Sequence, residues 1–408
     1  MKSNTPHYLK LFPAARTRLH LVLSLTFLGP ALATASLDDF LGPAFFHTTE
    51  LWSGETGGRS IVTTFNGDVL VIKGGASSEY KRSTDGGMSW TTGTASGAAR
   101  FSNAVLDESN GNIILVNASS HVKSTGTNNG NSWSGTTSHD PVRDRLGFRP
   151  TSYSSMQAGI TLRYGQYAGR LVMPTRVQGV GGNDIEFRGY NYSSAIYSDD
   201  GGQTWQTSHP FPVFGTGEAA IVELRDGRLL YNSREHMSNG NRYIATSYDG
   251  GVTWVEPYRD PVLPDGPRGT SYGNMGGLIR LPLDDHDILL YSNLDTDRGE
   301  PPSSGLGGTR TRERENITVW VSFDGGDTWP LKRSVFAGPA AYSNLGVGRK
   351  GTVSEGRIFL NYDGGPEARN TAAQIAVFNL TWLLDGADIN DFLDLNGGGL
   401  LMDSFGHR

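Results

Sequence analysis

Four acidic side chains, Asp85, Asp200, Asp249 and Asp324, stand in a recurring turn pattern, where their chemistry is spent on the backbone. Three stretches, however, carry polar residues that no turn requires. The first runs from Gly215 to Arg234, where two apolar strands are joined by Asp226-Gly227, a hairpin signal that brings Glu218 and Arg234 to the same end as near neighbours. The second is Arg314-Glu315-Asn316-Ile317-Thr318-Val319, an arginine at the mouth of a strand. The third is Ala340-Ala341-Tyr342-Ser343-Asn344-Leu345, a small, polar loop with one large phenol. A guanidinium suits a carboxylate, because its planar fork meets two oxygens at once and stays charged. A phenol with a base beside it is a neutral nucleophile that can be activated. Each residue also has an ordinary reading: Glu218 as a strand cap or surface partner, Tyr342 as core packing, Arg234 and Arg314 as solvated or structural groups.

The elements that must position these residues announce themselves by repetition. Ser-x-Asp-x-Gly-x-Thr/Ser-Trp occurs at Ser83–Trp90, Ser198–Trp205, Ser247–Trp254 and Ser322–Trp329, and a worn copy with Asn128 in the Asp place runs from Gly126 to Trp133. Asp and Ser side chains bond backbone N–H groups just ahead, glycine permits positive φ, and Trp pins the turn onto its sheet. Asp85, Asp200, Asp249 and Asp324 are therefore read as turn formers. Self-similar turns at intervals of some tens of residues mean an array of small sheets, which closes most compactly as a propeller. Runs such as Ser60–Ile72, Asn112–Val116, Ala219–Tyr231, Asp287–Ser292 and Ile317–Val321 read as its strands. A last blade is expected from Arg357–Asn361 and Gln374–Leu384, with the segment near Phe45–Trp52 closing the ring. Longer gaps between turns predict protruding loops at Ser134–Met156, Val177–Tyr192 and Asp295–Glu313.

The repeated turn resembles the Asp-box of sialidases, and the likeness extends from about Arg59 to Leu384, including Gly159-Ile160-Thr161-Leu162 and Tyr167–Pro174. The resemblance implies an all-β, six-bladed β-propeller with Asp-box turns, acting as a secreted exo-α-sialidase-like glycoside hydrolase. By motif, Tyr342 matches the family's nucleophile, Glu218 the carboxylate that activates it, and Arg234 and Arg314 two of three arginines that grip the substrate carboxylate. Arg59, in Gly58-Arg59-Ser60-Ile61 where the family has Phe/Tyr-Arg-Ile-Pro, matches the third. The implied reaction releases terminal sialic acid, or a related 2-keto sugar acid such as KDN or Kdo, with retention through a covalent tyrosyl intermediate. A neutral phenol suits that reaction, since a carboxylate nucleophile would approach a carboxylate-bearing anomeric carbon against charge repulsion. The chain departs from the family at the acid/base. The loop Lys73–Lys81 is short and has no Asp, which leaves Glu79, Asp184 and Glu186 as candidates and His139 and Asp140 further out. The alternatives are a non-catalytic glycan-binding propeller and a protein-interaction scaffold.

The ends and the composition bound the rest. Lys2, Lys10, Arg16 and Arg18 precede an apolar run from Leu19 to Leu32 and a small-residue site at Ala33-Thr34-Ala35, which predicts a signal peptide over 1–35 and a secreted, extracellular product. The propeller then occupies 36–384 and a C-terminal tail 385–408. No other segment reads as a membrane helix. Loss of the leader's four positive charges moves the formal net charge from −6 to −10, which argues against nucleic acid and requires any anionic ligand to be held by a local arginine cluster. There is no cysteine, tolerable in a large exported domain. Sequons at Asn117, Asn191, Asn316 and Asn379 suit a glycoprotein. No metal cluster or nucleotide loop is evident, so no cofactor and no metal is expected. The expected partners are sialylated or related acidic glycans, with neither nucleic acid nor membrane.

Overall fold

The computed structural model describes residues 35–54, 60–73, 79–95, 103–117, 121–152, 157–178, 190–237, 240–265, 273–295 and 314–393. Its strands pair antiparallel, most of them with their neighbours in sequence, and form five sheets among the described residues. Three sheets have four strands each, spanning 60–94, 160–207 and 216–264, and one of five strands spans 103–138. The fifth sheet has seven strands, and the reason is a single strand. Leu331–Val347 runs unbroken for 17 residues, its first part pairing with Glu315–Ser322 and its second with Ile358–Gly364. The arrangement is a β-propeller in which four blades stand as separate sheets, rather than the six expected.

Alternate residues of each inner strand serve opposite neighbours, which is why these strands read as apolar runs. Ala104 and Leu106 pack with Val62, Leu70 and Leu115, whereas Val105 packs with Leu171 and Met173. Ala219 and Ile221 face Val172 and Tyr231, whereas Ala220 and Val222 face Leu278 and Leu289. A further cluster joins Ile61 and Val69 to Phe359, Ile375 and Val377. There the first strand, Phe46–Ser53, pairs with the last, Ala372–Phe378, so residues from both ends of the described chain share one sheet. The expected strand through Leu384 stops at Phe378. Asn379 Oδ1 accepts the backbone N–H of Trp382 at 3.0 Å and of Phe45 at 3.1 Å, capping a helix, Leu380–Leu384. Beyond it, Ile389 is buried and Phe392 stacks on Phe323 at 4.8 Å.

The four repeated turns are chemically alike. In Ser198–Trp205, Ser198 Oγ donates to Asp200 Oδ1 at 2.8 Å and accepts from Gly202 N at 2.9 Å. Thr204 returns two bonds to Asp200, from N at 2.8 Å and Oγ1 at 2.6 Å, and Trp205 Nε1 donates to Gly202 O at 3.0 Å. Gly201 and Gly202 hold φ of 66° and 79°, open to glycine at little cost. In the worn copy, Asn128 and Asn129 take the left-handed conformation at 51° and 56° instead. At Asp85, burial would raise the carboxyl, but hydrogen bonds from Ser89, Ser83 and Met88 outweigh it and hold it at about 2. A carboxyl depressed on folding stabilises above its unfolded value, and that stability disappears as pH falls through the folded one. Asp200→Ala is accordingly expected to lower stability by about 1–2 kcal/mol at neutral pH. Against burial, bonds from Thr204 and Ser198 hold the Asp200 carboxyl below its usual range, so thermal melts should show that deficit shrinking as pH falls below the ordinary carboxyl range.

Candidate functional site

Three of the singled-out stretches lie at breaks in strand register, and the breaks explain how their side chains are aimed. On the strand Thr216–Glu223, Thr216 pairs with Glu235 and Ala219 with Ser233, so Gly217 and Glu218 together oppose Arg234. On Leu331–Val347, Ala340 pairs with Gly364 and Ser343 with Tyr362, so Ala341 and Tyr342 together oppose Asp363. Two residues against one is a β-bulge, which bends the strand and turns its side chain out of the regular alternation. A third shift lies between Glu315 and Ile317, beside Arg314, where Asn316 holds φ of 62°.

These breaks bring four side chains to one point. Arg234 Nη1 lies 3.1 Å from Glu218 Oε2 and 3.4 Å from Tyr342 Oη, so one nitrogen serves both oxygens. The Arg314 guanidinium is 5.7 Å from the centre of the Tyr342 ring, and its Nη2 donates to Gly273 O at 2.9 Å. Gly273, at φ of 76°, must be glycine: a Cβ there would stand 2.8 Å from Arg234 Cγ and 2.9 Å from Asp265 Oδ2. Behind Arg234, the wholly buried Arg242 binds Asp265 at 2.6 Å and Asn232 Oδ1 at 2.6 Å, and Asp265 Oδ2 accepts Glu235 N at 2.7 Å. That buried pair anchors the end of the strand Leu229–Glu235. Burial pushes Asp265 up to about 6, against the pull of Arg242.

The electrostatics are those of a cationic hollow with one committed anion. Burial alone would raise Glu218, but Arg234 first, then His236 and Arg176, hold its carboxyl well below the usual range. Burial pushes Arg314 down to about 10; Tyr342 opposes that, while Arg234 and Arg369 add to it by repulsion. Arg314 is still charged at neutral pH, and its buried Nε has no hydrogen-bond partner. Buried guanidinium groups that repel one another and keep a donor uncommitted are what an incoming carboxylate would satisfy.

Glu218, Arg234, Arg314 and Tyr342 are thus brought together. Arg59, Asp184 and Glu186 lie outside the described residues. Glu79 is engaged away from these four: Trp52 Nε1 donates to Oε1, and Lys73 and Lys81 approach at 3.8 and 3.9 Å. Asp140 pairs with Arg149, and His139 is buried edge-on to Trp205 at 5.6 Å. Sequence reasoning missed His236, whose Nε2 sits 3.2 Å from Glu218 Oε2, and Arg176, whose Nη1 is 3.9 Å from Oε1. It also missed Arg369. A spacing of two between Arg234 and His236 was a usable signal, since alternate residues of an extended segment share a face. Among the described residues, no group of three or more His, Cys, Asp or Glu is placed to hold a metal ion, and no helix is long and apolar enough to cross a membrane.

The BNR repeat-like domain family matches residues 118–354. A sialidase of Micromonospora viridifaciens is 28% identical over 345 residues, covering 81% of this chain and 45% of the relative. A Vibrio cholerae sialidase is 31% identical over 172 residues, covering 37% of this chain and 20% of the relative. The chain spans less than half the length of these relatives. Among solved structures, the intramolecular trans-sialidase of Ruminococcus gnavus, in complex with oseltamivir carboxylate, aligns with a TM-score of 0.57 at 15% identity, over 82% of this chain and 97% of that one. A Trypanosoma rangeli sialidase in complex with 2,3-difluorosialic acid, a covalent intermediate, aligns with 0.58 at 16% identity, over 85% and 60%. At such identities the structural likeness speaks for the fold.

Proposed function

We propose, for a chain that belongs to the BNR repeat-like domain family and whose relatives are sialidases, an exo-acting glycosidase that releases a terminal sialic acid or a related 2-keto sugar acid such as KDN or Kdo. One observation carries this reading: a single Arg234 nitrogen lies within reach of both the phenol of Tyr342 and the carboxylate of Glu218. Tyr342 Oη would attack the anomeric carbon while its proton passes to Glu218 and the glycosidic carbon–oxygen bond breaks. The departing oxygen takes a proton from solvent or from an acid outside the described residues. Water then attacks the same carbon, giving up its proton to that solvent or acid, the tyrosyl bond breaks, and Glu218 returns the proton to Tyr342. Two inversions give retention. Arg234 and Arg314 would hold the sugar carboxylate, and Arg234 would also stabilise negative charge as it develops on the phenol. The difluorosialic acid adduct of one structural neighbour supports the covalent step.

In the same reading the ring has six blades, the unbroken strand Leu331–Val347 serving as outer strand of the fifth and inner strand of the sixth. The apolar clusters between successive strand sets support that count. Residues 1–35 would direct export, and the third carboxylate-binding arginine would be Arg59. The commitment of Glu79 to Trp52 and two lysines favours a second reading, a glycan-binding propeller without turnover.

Paired substrates test both. A sialoside with an aryl leaving group needs no proton, whereas a natural disaccharide does. General acid help is worth about 10²–10⁴-fold. We expect release from the aryl sialoside or its KDN analogue, with the disaccharide slower by a factor in that range. Binding without release from any substrate selects the glycan-binding reading, and neither binding nor release overturns both.

A further inference from the structure

We infer that Arg176 is a positioning residue for Glu218, closing the side of its carboxylate that Arg234 and His236 leave open. The inference rests on the glycosidase reading above and goes into how its base is held. Glu218 occupies a bulge, where the strand ladder no longer dictates side-chain direction, so the carboxylate must be fixed from outside. Arg234 and His236 both approach Oε2, at 3.1 and 3.2 Å, from the neighbouring strand and the residues just after it. A carboxylate held at one oxygen still turns about its last torsion, which is a soft one. Arg176 comes from another sheet, on the strand Leu171–Val177, and places Nη1 3.9 Å from Oε1. Both oxygens then have a cationic or imidazole neighbour, Oε1 at ion-pair rather than hydrogen-bond distance, which biases the carboxylate plane.

The surroundings are built for this. Arg176 is a lone charge in a strand whose seven residues are all buried. Its backbone N donates to Ser152 O at 3.0 Å and its carbonyl accepts Thr151 N at 2.9 Å, so its own strand end is tied down. Its Nε has no hydrogen-bond partner, so the side chain is not committed to neighbouring backbone through that atom. Gly217 bears no side chain where one would collide: a Cβ there would lie 2.1 Å from His236 Nε2. The groups facing Glu218 are therefore Arg234, His236, Arg176 and the Tyr342 phenol that shares Arg234. Two arginines fixing both oxygens would aim a lone pair at that phenol, and geometry of this kind governs proton transfer more than contact alone.

The test uses the full chain with ¹³C-labelled glutamate carboxyls, the Glu218 resonance being assigned by its loss in Glu218→Gln. Wild type should keep Glu218 ionised well into the acid range. Arg176→Gln should move its titration upward by about one pH unit, and Arg176→Lys, which keeps the charge, should restore part of that shift. On an aryl sialoside, Arg176→Gln should lower kcat by about tenfold to a hundredfold with KM within about twofold, again partly rescued by lysine. A raised KM at unchanged kcat would make Arg176 a substrate-binding group and overturn the inference, as would an unmoved Glu218 titration in folded Arg176→Gln. If wild type releases nothing from any sialoside, the glycosidase reading fails, while the carboxyl titration still decides the clamp.

Discussion

Tyr342→Phe should fold and melt like wild type, yet release sugar acid more slowly by about 10³-fold or more. The substitution removes one oxygen and nothing else. The ring stays in its bulge, and the face that Arg314 approaches at 5.7 Å is unchanged, so stability should move by no more than about 0.5 kcal/mol. Arg234 loses a contact at 3.4 Å but keeps Glu218, and the arginines proposed to grip a carboxylate are untouched. Ligand binding by calorimetry should therefore survive while turnover does not. An independent measurement separates nucleophile from bystander: a 2,3-difluoro sugar acid should leave a covalent mass on the wild-type peptide that contains Tyr342 and none on the variant. Turnover within tenfold of wild type would remove the phenol from the mechanism and require another nucleophile.

What the sequence disclosed of this site, it disclosed through local signals. Asp226-Gly227 sets a hairpin whose register, read from the apolar run, brings Glu218 and Arg234 to one end, and the turns at Asp85, Asp200, Asp249 and Asp324 spell out their own hydrogen bonds. What stayed hidden depends on a slip of one residue or on a neighbouring sheet. The bulges at Glu218 and Tyr342 leave no compositional trace, yet they decide where both side chains point. Arg176 and Arg242 look like stray charges in apolar strands until the adjoining sheet supplies Glu218 to one and Asp265 to the other. Ala340–Leu345 reads as a small, polar loop, and only the pairing on both of its sides makes it part of the one strand Leu331–Val347. The switch from strand to helix at Asn379 turned on a side-chain cap rather than on any periodicity.

Arg234→Gln should be the most damaging single change at the site, because it strikes fold and chemistry together. Arg234 is almost wholly buried, and its partner Glu218 cannot reach water when the guanidinium goes. Breaking one side of a buried ion pair costs about 3–5 kcal/mol. His236 offers partial relief. In wild type, burial first and then the positive charge of Arg234 push its imidazole down to about 4, from 6.5 in an unfolded chain. A folded state that refuses a proton its unfolded chain accepts loses stability as pH falls between those values, by on the order of 3 kcal/mol for a shift of this size. With Arg234 removed, the repulsion goes and Glu218 remains, so His236 should protonate at higher pH in the folded variant. Asp265, raised by burial to about 6, gains stability over the same interval in both proteins, so the difference between them carries the signal: Arg234→Gln should start lower and close part of the gap to wild type as pH falls from 6.5 to 4. Thermal melts at stepped pH would read this as two curves that converge. Parallel curves would mean that His236 does not answer to Arg234, and that the charge balance assigned to Glu218 is wrong. Turnover should also fall under the proposed mechanism, in which Arg234 donates charged hydrogen bonds to substrate carboxylate and phenol, each such bond being worth about 1.5–3 kcal/mol.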